Sequence, residues 1–238
     1  MRTDTTNTAH KAKKLFVIGT STDVGKTYVS GLIMKKLTQA GLSAAYYKAA
    51  MSGNEPGPDG RPIPGDALAV QTCANLHQTL VSMCPYVYRQ AVSPHLAAKI
   101  EGPAVDMARV RAGLEQLCGQ YDYLTMEGSG GIICPIRWDK EQHILLEDLL
   151  RELGFGAVMV ADAGLGVINS AVLTAEYMKS RGLELRGIIF NNYLPGDPMH
   201  EDNREMCQAL CGLPVIACVE RGCLELPMST EALAALYA

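Results

Sequence analysis

Short apolar runs alternate along this chain with longer segments whose apolar residues recur every three or four positions. KKLFVIG (13–19) predicts a strand, and KTYVSGLIMKKLTQAG (26–41) predicts a helix that stops at Gly41. SAAYYKAA (43–50) reads as a second strand. Helices are predicted over 66–76, over 92–102 with Ser93-Pro94 at its start, and over 106–120. YDYLTMEG (121–128) predicts a strand, 144–153 a short helix, and GAVMVAD (156–162) another strand. The remainder reads as helix 168–182, strand 185–192, a polar helix near 199–211, strand 213–219 and a closing helix 229–238.

Strands that alternate with helices imply a mostly parallel sheet covered on both faces. The expected fold is α/β: a single doubly wound sheet with helices on both faces, over 14–238, behind a polar lead-in at 1–13. In such a fold the ligand site lies at the carboxyl ends of the strands. One segment interrupts the pattern. GNEPGPDGRPIPGD (53–66) has four prolines and four glycines, so it can be neither helix nor central strand. A loop of that length inside a compact domain is usually functional.

Composition adds exclusions. Of 238 residues, 48% are hydrophobic and 19% charged, with a net charge of −4. That balance predicts a soluble globular protein and argues against a nucleic-acid surface as its main business. No run of eighteen apolar residues predicts a membrane span, and the N-terminus lacks the apolar core of a secretory signal. The eight cysteines include no CxxC pair, so they read as reduced thiols in a cytoplasmic protein rather than as a zinc site.

Residues 19–27, GTSTDVGKT, follow the first strand and open the first long helix. The strict phosphate-loop pattern has four residues between its glycines; here five separate Gly19 from Gly25, and Thr20 stands in the strict first-glycine slot. The context still fits an anion cradle, because backbone N–H groups at a helix start point outward. Lys26 can neutralise phosphate oxygens, and the Thr27 hydroxyl can ligate magnesium. YLTMEGSGG (123–131) brings Glu127 to a strand end, followed by Gly128, Ser129 and Gly130. Glu127 is either a magnesium ligand or an acid capping a turn. Lys48 falls near the end of the second strand and either meets an anion or extends its head into water. Asp66, where the long loop meets a helix, reads by itself as an N-cap. ADAGLGVIN (161–169) is a second glycine-rich strand-to-helix junction. Asn191 and Asn192 end a strand with amides that suit either an adenine edge or a turn. His95 reads as a capping or solvent-facing residue, and Asp162 as a strand-end acid without a task.

Together these segments resemble the dethiobiotin synthetase family. The likeness runs from about Lys14 to Val219, through GTSTDVGKT, YYKAAMSG, PGDALA, VSPHLAA, MEGSGGIICPI and GLGVINSAVLTAEYMKSRGLELRGIIFNN. That family's phosphate loop also has five residues between its glycines. The resemblance implies a P-loop NTPase-like fold and an ATP- and magnesium-dependent cyclo-ligase. Its substrates would be diaminopelargonic acid, CO2 or bicarbonate, and ATP. A carbamate would be phosphorylated by ATP, and the second amine would then close the ureido ring.

By the same resemblance, Lys26 and Lys48 are the catalytic lysines, and Thr27, Asp66 and Glu127 hold magnesium. Nucleotide contacts fall on Asp23, Val24, Gly25, Lys26, Thr27 and Tyr28, on Glu127 to Gly130, and on Asn191 at the adenine. Glu220, Arg221 and Gly222 fall where the family touches base and ribose. Ser52 matches a substrate contact. The family is a homodimer, so Leu165, Gly166 and Asn169 of the partner subunit would receive the substrate carboxylate. The chain departs from the family's usual residues at Asp23 (often Glu), at Ala49 (often Pro), in EGSGG for EGAGG, and in ACVERGCLEL (217–226). The rival expectation is a dimeric switch ATPase of the partition or cell-division type. Those carry an extra lysine early in the phosphate loop, and Gly19 to Val24 has none.

Overall fold

In the computed structural model, which describes residues 12–237, the first strand already holds the central place in the sheet. Residues 1–11 and 238 lie outside the described residues, and with them most of the lead-in expected over 1–13. The chain runs β1 (Lys13–Gly19), α1 (Lys26–Gln39), β2 (Ala44–Tyr47), β3 (Ala50–Met51), α2 (Gly65–Ala74), α3 (Leu80–Met83) and β4 (Tyr86–Val87). It continues through α4 (Pro94–Glu101), α5 (Met107–Cys118), β5 (Tyr123–Gly131), β6 (Pro135–Trp138), β7 (His143–Leu145) and α6 (Leu146–Leu153). It ends with β8 (Gly156–Asp162), α7 (Val167–Ser180), β9 (Leu185–Tyr193), α8 (Pro198–Cys211), β10 (Val215–Glu220) and α9 (Thr230–Ala234).

Six strands form one sheet in the order β10-β9-β8-β1-β5-β2, and every neighbouring pair is parallel. All six carboxyl ends therefore share one edge. Side-chain alternation divides the core between the two faces. Leu15 and Val17 of β1, with Val158 and Val160 of β8, pack against α1, α2 and α9. Phe16 and Ile18, with Met126 and Met159, pack against the layer that holds α5, α6 and α7. Burial on both faces explains why the strands read as nearly continuous apolar runs.

Two expected strands need correction, and one hairpin adds to the expected elements. The strand expected over 43–50 is two strands. After Tyr47 the Lys48 N–H donates to the Met83 carbonyl at 2.8 Å, and Ala50–Met51 pairs with β4 instead of β5. The strand expected to end at residue 128 runs on to Gly131, which pairs with Gly19. Gly128 is needed there for packing, because a Cβ would come within 2.7 Å of Leu146 and 2.9 Å of Phe16. The hairpin β6–β7 was not expected at all. Its turn has no glycine; Asp139 builds it by accepting from the N–H groups of Glu141 and Gln142, both at 2.8 Å, and from Arg137 at 2.6 Å.

Candidate active site

Because β1, β5 and β2 are neighbours, their carboxyl ends bring three sequence motifs together. β1 delivers the loop 20–25 to the N-terminus of α1. Gly25 precedes that helix with φ 91°, and a Cβ on it would lie 2.0 Å from the Asn191 amide nitrogen, so no other residue fits. Asp23 is also left-handed, at φ 59°. Lys26 is buried, and its ammonium donates to the Ser21 carbonyl at 2.8 Å, inside the loop it belongs to. One turn of helix does not separate Thr27 from β5: its hydroxyl donates to Glu127 Oε1 at 2.8 Å.

Lys48 lies just past the end of β2. It is 5% exposed, and its ammonium donates to Asp66 Oδ2 at 2.5 Å and to Glu127 Oε1 at 2.7 Å. The solvent-directed alternative for Lys48 is thereby excluded. Glu127 is 1% exposed, and its second oxygen accepts from the Tyr46 hydroxyl at 2.9 Å. Asp66 is not an N-cap. Pro64 holds that position without a side-chain cap bond, and Asp66 sits in the first turn of α2, where a negative charge suits the helix dipole. Its side chain is 40% exposed and reaches Lys48 rather than its own helix. The Gly65 N–H is satisfied instead by Asn54 Oδ1 at 2.8 Å.

The charges interact in opposite senses. Burial disfavours the Lys48 ammonium, but Glu127 and Asp66 outweigh it and hold its pKa above the ordinary lysine value. Burial and the neighbouring Lys48 push Lys26 below that value. For Asp66, burial raises the pKa, yet the Lys48 ammonium prevails and the carboxyl stays below its usual range. A cavity at this edge is lined by both lysines together with Thr27, Ser52, Asp66 and Glu127, and by Asp23, Gly25, Ser129 and Gly130. An adjoining cavity shares Asp23, Ser52, Ser129 and Gly130 and extends to Val92, Ser93 and Pro94. The Ser129 hydroxyl donates to the Ala50 carbonyl at 2.9 Å, tying β5 to β3 beneath it. A larger groove, with Lys35, Cys73, His77 and Tyr121 on its walls, opens at the amino edge of the sheet and gathers no such cluster.

The donors suit magnesium. Thr27, Asp66 and Glu127 offer only oxygen, and magnesium characteristically takes one or two carboxylates and completes its shell with water and phosphate. No group of three or more His, Cys, Asp or Glu residues that could hold a metal occurs among the described residues.

Asn191 closes the far side of the loop. It is 5% exposed, and its amide nitrogen donates to the Val24 carbonyl at 3.1 Å, while Oδ1 is buried with no partner. The next residue, Asn192, is turned away at φ 55° and donates to Asp162 Oδ2 at 2.6 Å. The two asparagines thus face different partners, and neither Asn191 nor Asn192 lines either cavity. Asp162 also accepts from the Gly164 N–H at 3.0 Å, so this acid shapes the turn after β8. Residues 220–222 turn at the end of β10, the strand paired with β9, with Gly222 at φ 76°. The Tyr28 hydroxyl donates to the Cys223 carbonyl, and Lys35 donates to the Leu224 carbonyl at 2.9 Å; both tie this turn to α1. Leu165 and Gly166 lie on the separate turn before α7 and Asn169 in the first turn of that helix, all exposed and away from both cavities. His95 is half-buried and pairs with the Ser93 hydroxyl at 3.0 Å at the start of α4, where no side chain caps the helix.

Tyr46, Asn54 and Gln78 were not singled out from the sequence. The only signal was that Tyr46 precedes Lys48 by two residues and so faces the same side of the strand.

Residues 13–222 match a family model described as an AAA domain. The chain is similar to the ATP-dependent dethiobiotin synthetase BioD of Brachyspira hyodysenteriae, 46% identical over 90% of this chain and 95% of that one. It is similar to two proteins of the same name from Clostridium botulinum strains. One is 42% identical over 87% of this chain and 90% of the relative; the other is 40% identical over 95% and 98%. Among solved structures, the MinC:MinD cell division protein complex of Aquifex aeolicus aligns with a TM-score of 0.54 at 14% identity, over 88% of this chain and 81% of that one. MinD from the same organism gives 0.53 at 14% identity, covering 88% and 82%. At that identity the likeness concerns the fold alone.

Proposed function

The chain belongs to the ATP-dependent dethiobiotin synthetase family, with the ATP-dependent ligase activity of that family, and we propose that its residues at the carboxyl edge of the sheet close the ureido ring as follows. Diaminopelargonic acid and carbon dioxide form a carbamate on one amine, with loss of a proton. A carbamate oxygen attacks the γ-phosphorus of ATP and ADP leaves. The second amine then attacks the carbamoyl carbon, and phosphate leaves as the ring closes.

Two anions must be brought together, so the work of the site is positioning and charge neutralisation rather than covalent catalysis by a side chain. The N–H groups at the start of α1 and the Lys26 ammonium would hold the phosphates. Lys48 would meet the carbamate. Thr27, Asp66 and Glu127 would hold magnesium, which when bound supplies positive charge to the phosphate oxygens. Asn191 would read the adenine, supported by its unpartnered buried Oδ1, which suits an amino-group donor. Ser52, at the junction of the two cavities, would contact the diamine.

A homodimer is part of the proposal. Ile133 and Leu173 are exposed and share a groove with Tyr177 beside Thr20 to Thr22, an apolar surface that suits a second copy. Leu165, Gly166 and Asn169 of the partner subunit would then receive the substrate carboxylate. No helix of the described residues is long and apolar enough to cross a membrane, and a cytoplasmic setting suits the eight free thiols.

The observation that carries the reading is the Lys48 ammonium bonded at once to Asp66 and Glu127, beside the phosphate loop. The test is ADP release with ATP, magnesium, bicarbonate and diaminopelargonate. Release should require the diamine; ATP turnover indifferent to it would point to a switch ATPase instead.

A further inference from the structure

The Tyr46 phenol is wholly buried on the edge strand β2, yet its hydroxyl faces the candidate site. It donates to Glu127 Oε2 at 2.9 Å, while Oε1 of the same carboxylate accepts from Thr27 and Lys48. A glutamate carboxylate rotates easily about its last torsion. Here each oxygen is held by a different element, and only the Tyr46 bond fixes Oε2. Rotation of Glu127 therefore requires breaking its bond to the wholly buried Tyr46 hydroxyl.

Tyr46 is itself held. The Gln78 side chain accepts from the Tyr46 N–H and donates to the Tyr46 carbonyl, both at 2.9 Å. Gln78 is buried, and its own carbonyl accepts from Gln71 of α2 at 2.7 Å. Thus α2, whose first turn carries Asp66, is linked through Gln71, Gln78 and Tyr46 to Glu127. The two carboxylates assigned to magnesium are connected through protein on both sides: directly by Lys48, and at a distance by this chain of bonds.

We propose that Tyr46 is a positioning residue that sets the Glu127 carboxylate for the metal, and that Gln78 sets Tyr46. The inference rests on the reading of Glu127 as a magnesium ligand. Partners that orient a ligand typically change metal affinity by about 10- to 100-fold when removed. Tyr46→Phe keeps the ring and removes only the donor.

The test uses the full chain and a non-hydrolysable ATP analogue, titrated calorimetrically with and without magnesium. The quantity read is the gain in analogue affinity that magnesium confers. In Tyr46→Phe this gain should fall about 10-fold, while affinity in chelator is unchanged. Gln78→Met should lower the gain in the same direction by a smaller factor, and it serves alone if Tyr46→Phe does not fold. A general loss of stability would weaken both affinities together. Glu127→Gln separates the two readings. If that variant keeps the full magnesium gain, the assignment of Glu127 as ligand fails. If it loses the gain while Tyr46→Phe, or Gln78→Met in its stead, keeps it, only the positioning proposal is overturned.

Discussion

The Lys48 ammonium and the Glu127 carboxylate meet at 2.7 Å in a setting where both are almost wholly buried. Such a pair is costly to assemble and more costly to break, because the survivor is left as an uncompensated charge. Lys48→Ala should therefore do two things. Diamine-dependent turnover should fall at least about 100-fold, in line with loss of a charge that stabilises the transition state. The fold should also lose about 3 kcal/mol. Steady-state ADP release and urea unfolding check the two separately. Lys48→Arg keeps the charge but presents a planar fork in place of a point donor; it should regain stability without regaining turnover. Normal turnover in Lys48→Ala would remove Lys48 from the mechanism, and normal turnover in Lys48→Arg would show that any cation at this place suffices.

Asp66 gives the site an acid limb. Its carboxyl is held below the usual range by Lys48 against the opposing effect of burial. A depressed folded-state pKa adds stability that is present above the ordinary aspartate value of about 3.9 and is lost as pH falls through the folded value. Unfolding free energy should thus decline below about pH 4 more steeply in the native chain than in Lys48→Met. Urea titrations at stepped pH values measure it, and parallel curves would show that the pair carries no such linkage.

Asn191 should govern the base rather than the chemistry. Asn191→Leu removes the buried acceptor and leaves the Val24 carbonyl without its donor. The KM for ATP should rise about 10-fold, equivalent to the loss of one hydrogen bond of ordinary worth, and kcat should change little. Preference for ATP over other triphosphates should narrow at the same time. Competition assays with GTP and CTP supply the measurement, and an unchanged preference would place base selection elsewhere, in the turn at 220–222.

The 53–66 loop is held closed at its base. Asn54 donates to the Tyr88 carbonyl at 2.8 Å and accepts from the Gly65 N–H at 2.8 Å, and the loop carries its own bonds from Gly57 to Arg61 and from Ile63 to Glu55. Asn54→Ala should cost about 1–3 kcal/mol, the penalty for leaving buried polar groups unpaired. It should also expose the loop to an aspartate-specific protease at the Asp59–Gly60 bond, where the Asp59 side chain is already solvent-facing. Cleavage at equal rates in both proteins would mean that the staple does not control the loop.

Features with a local signature were legible in the sequence. Gly25, Lys26 and Thr27 sit at a strand-to-helix junction that the apolar pattern marks, and Lys48 and Glu127 fall near the carboxyl ends of strands that the same pattern marks. The split of 43–50 was not legible, because Ala49 and Ala50 resume the apolar run straight after Lys48 and the cause is a carbonyl at Met83. Asp66 was ambiguous for a similar reason: a cap and a first-turn acid are neighbours in sequence, and only the Asn54 bond to Gly65 separates them. Tyr46 and Gln78 read as ordinary core and surface residues until 32 positions of intervening chain are folded away. The β6–β7 hairpin was missed because its turn depends on the Asp139 side chain rather than on glycine.

The grip of Gln78 on Tyr46 also matters to molecules that never meet the active site. β2 is one of the two outermost strands of the sheet, and an outermost strand offers its free N–H and C=O groups to any passing chain. At Tyr46 both groups are already occupied by one amide side chain, which imitates the missing neighbour without extending the sheet. A foreign strand would have to evict Gln78 to dock there, so this border is guarded against self-association by a buried residue rather than by surface charge.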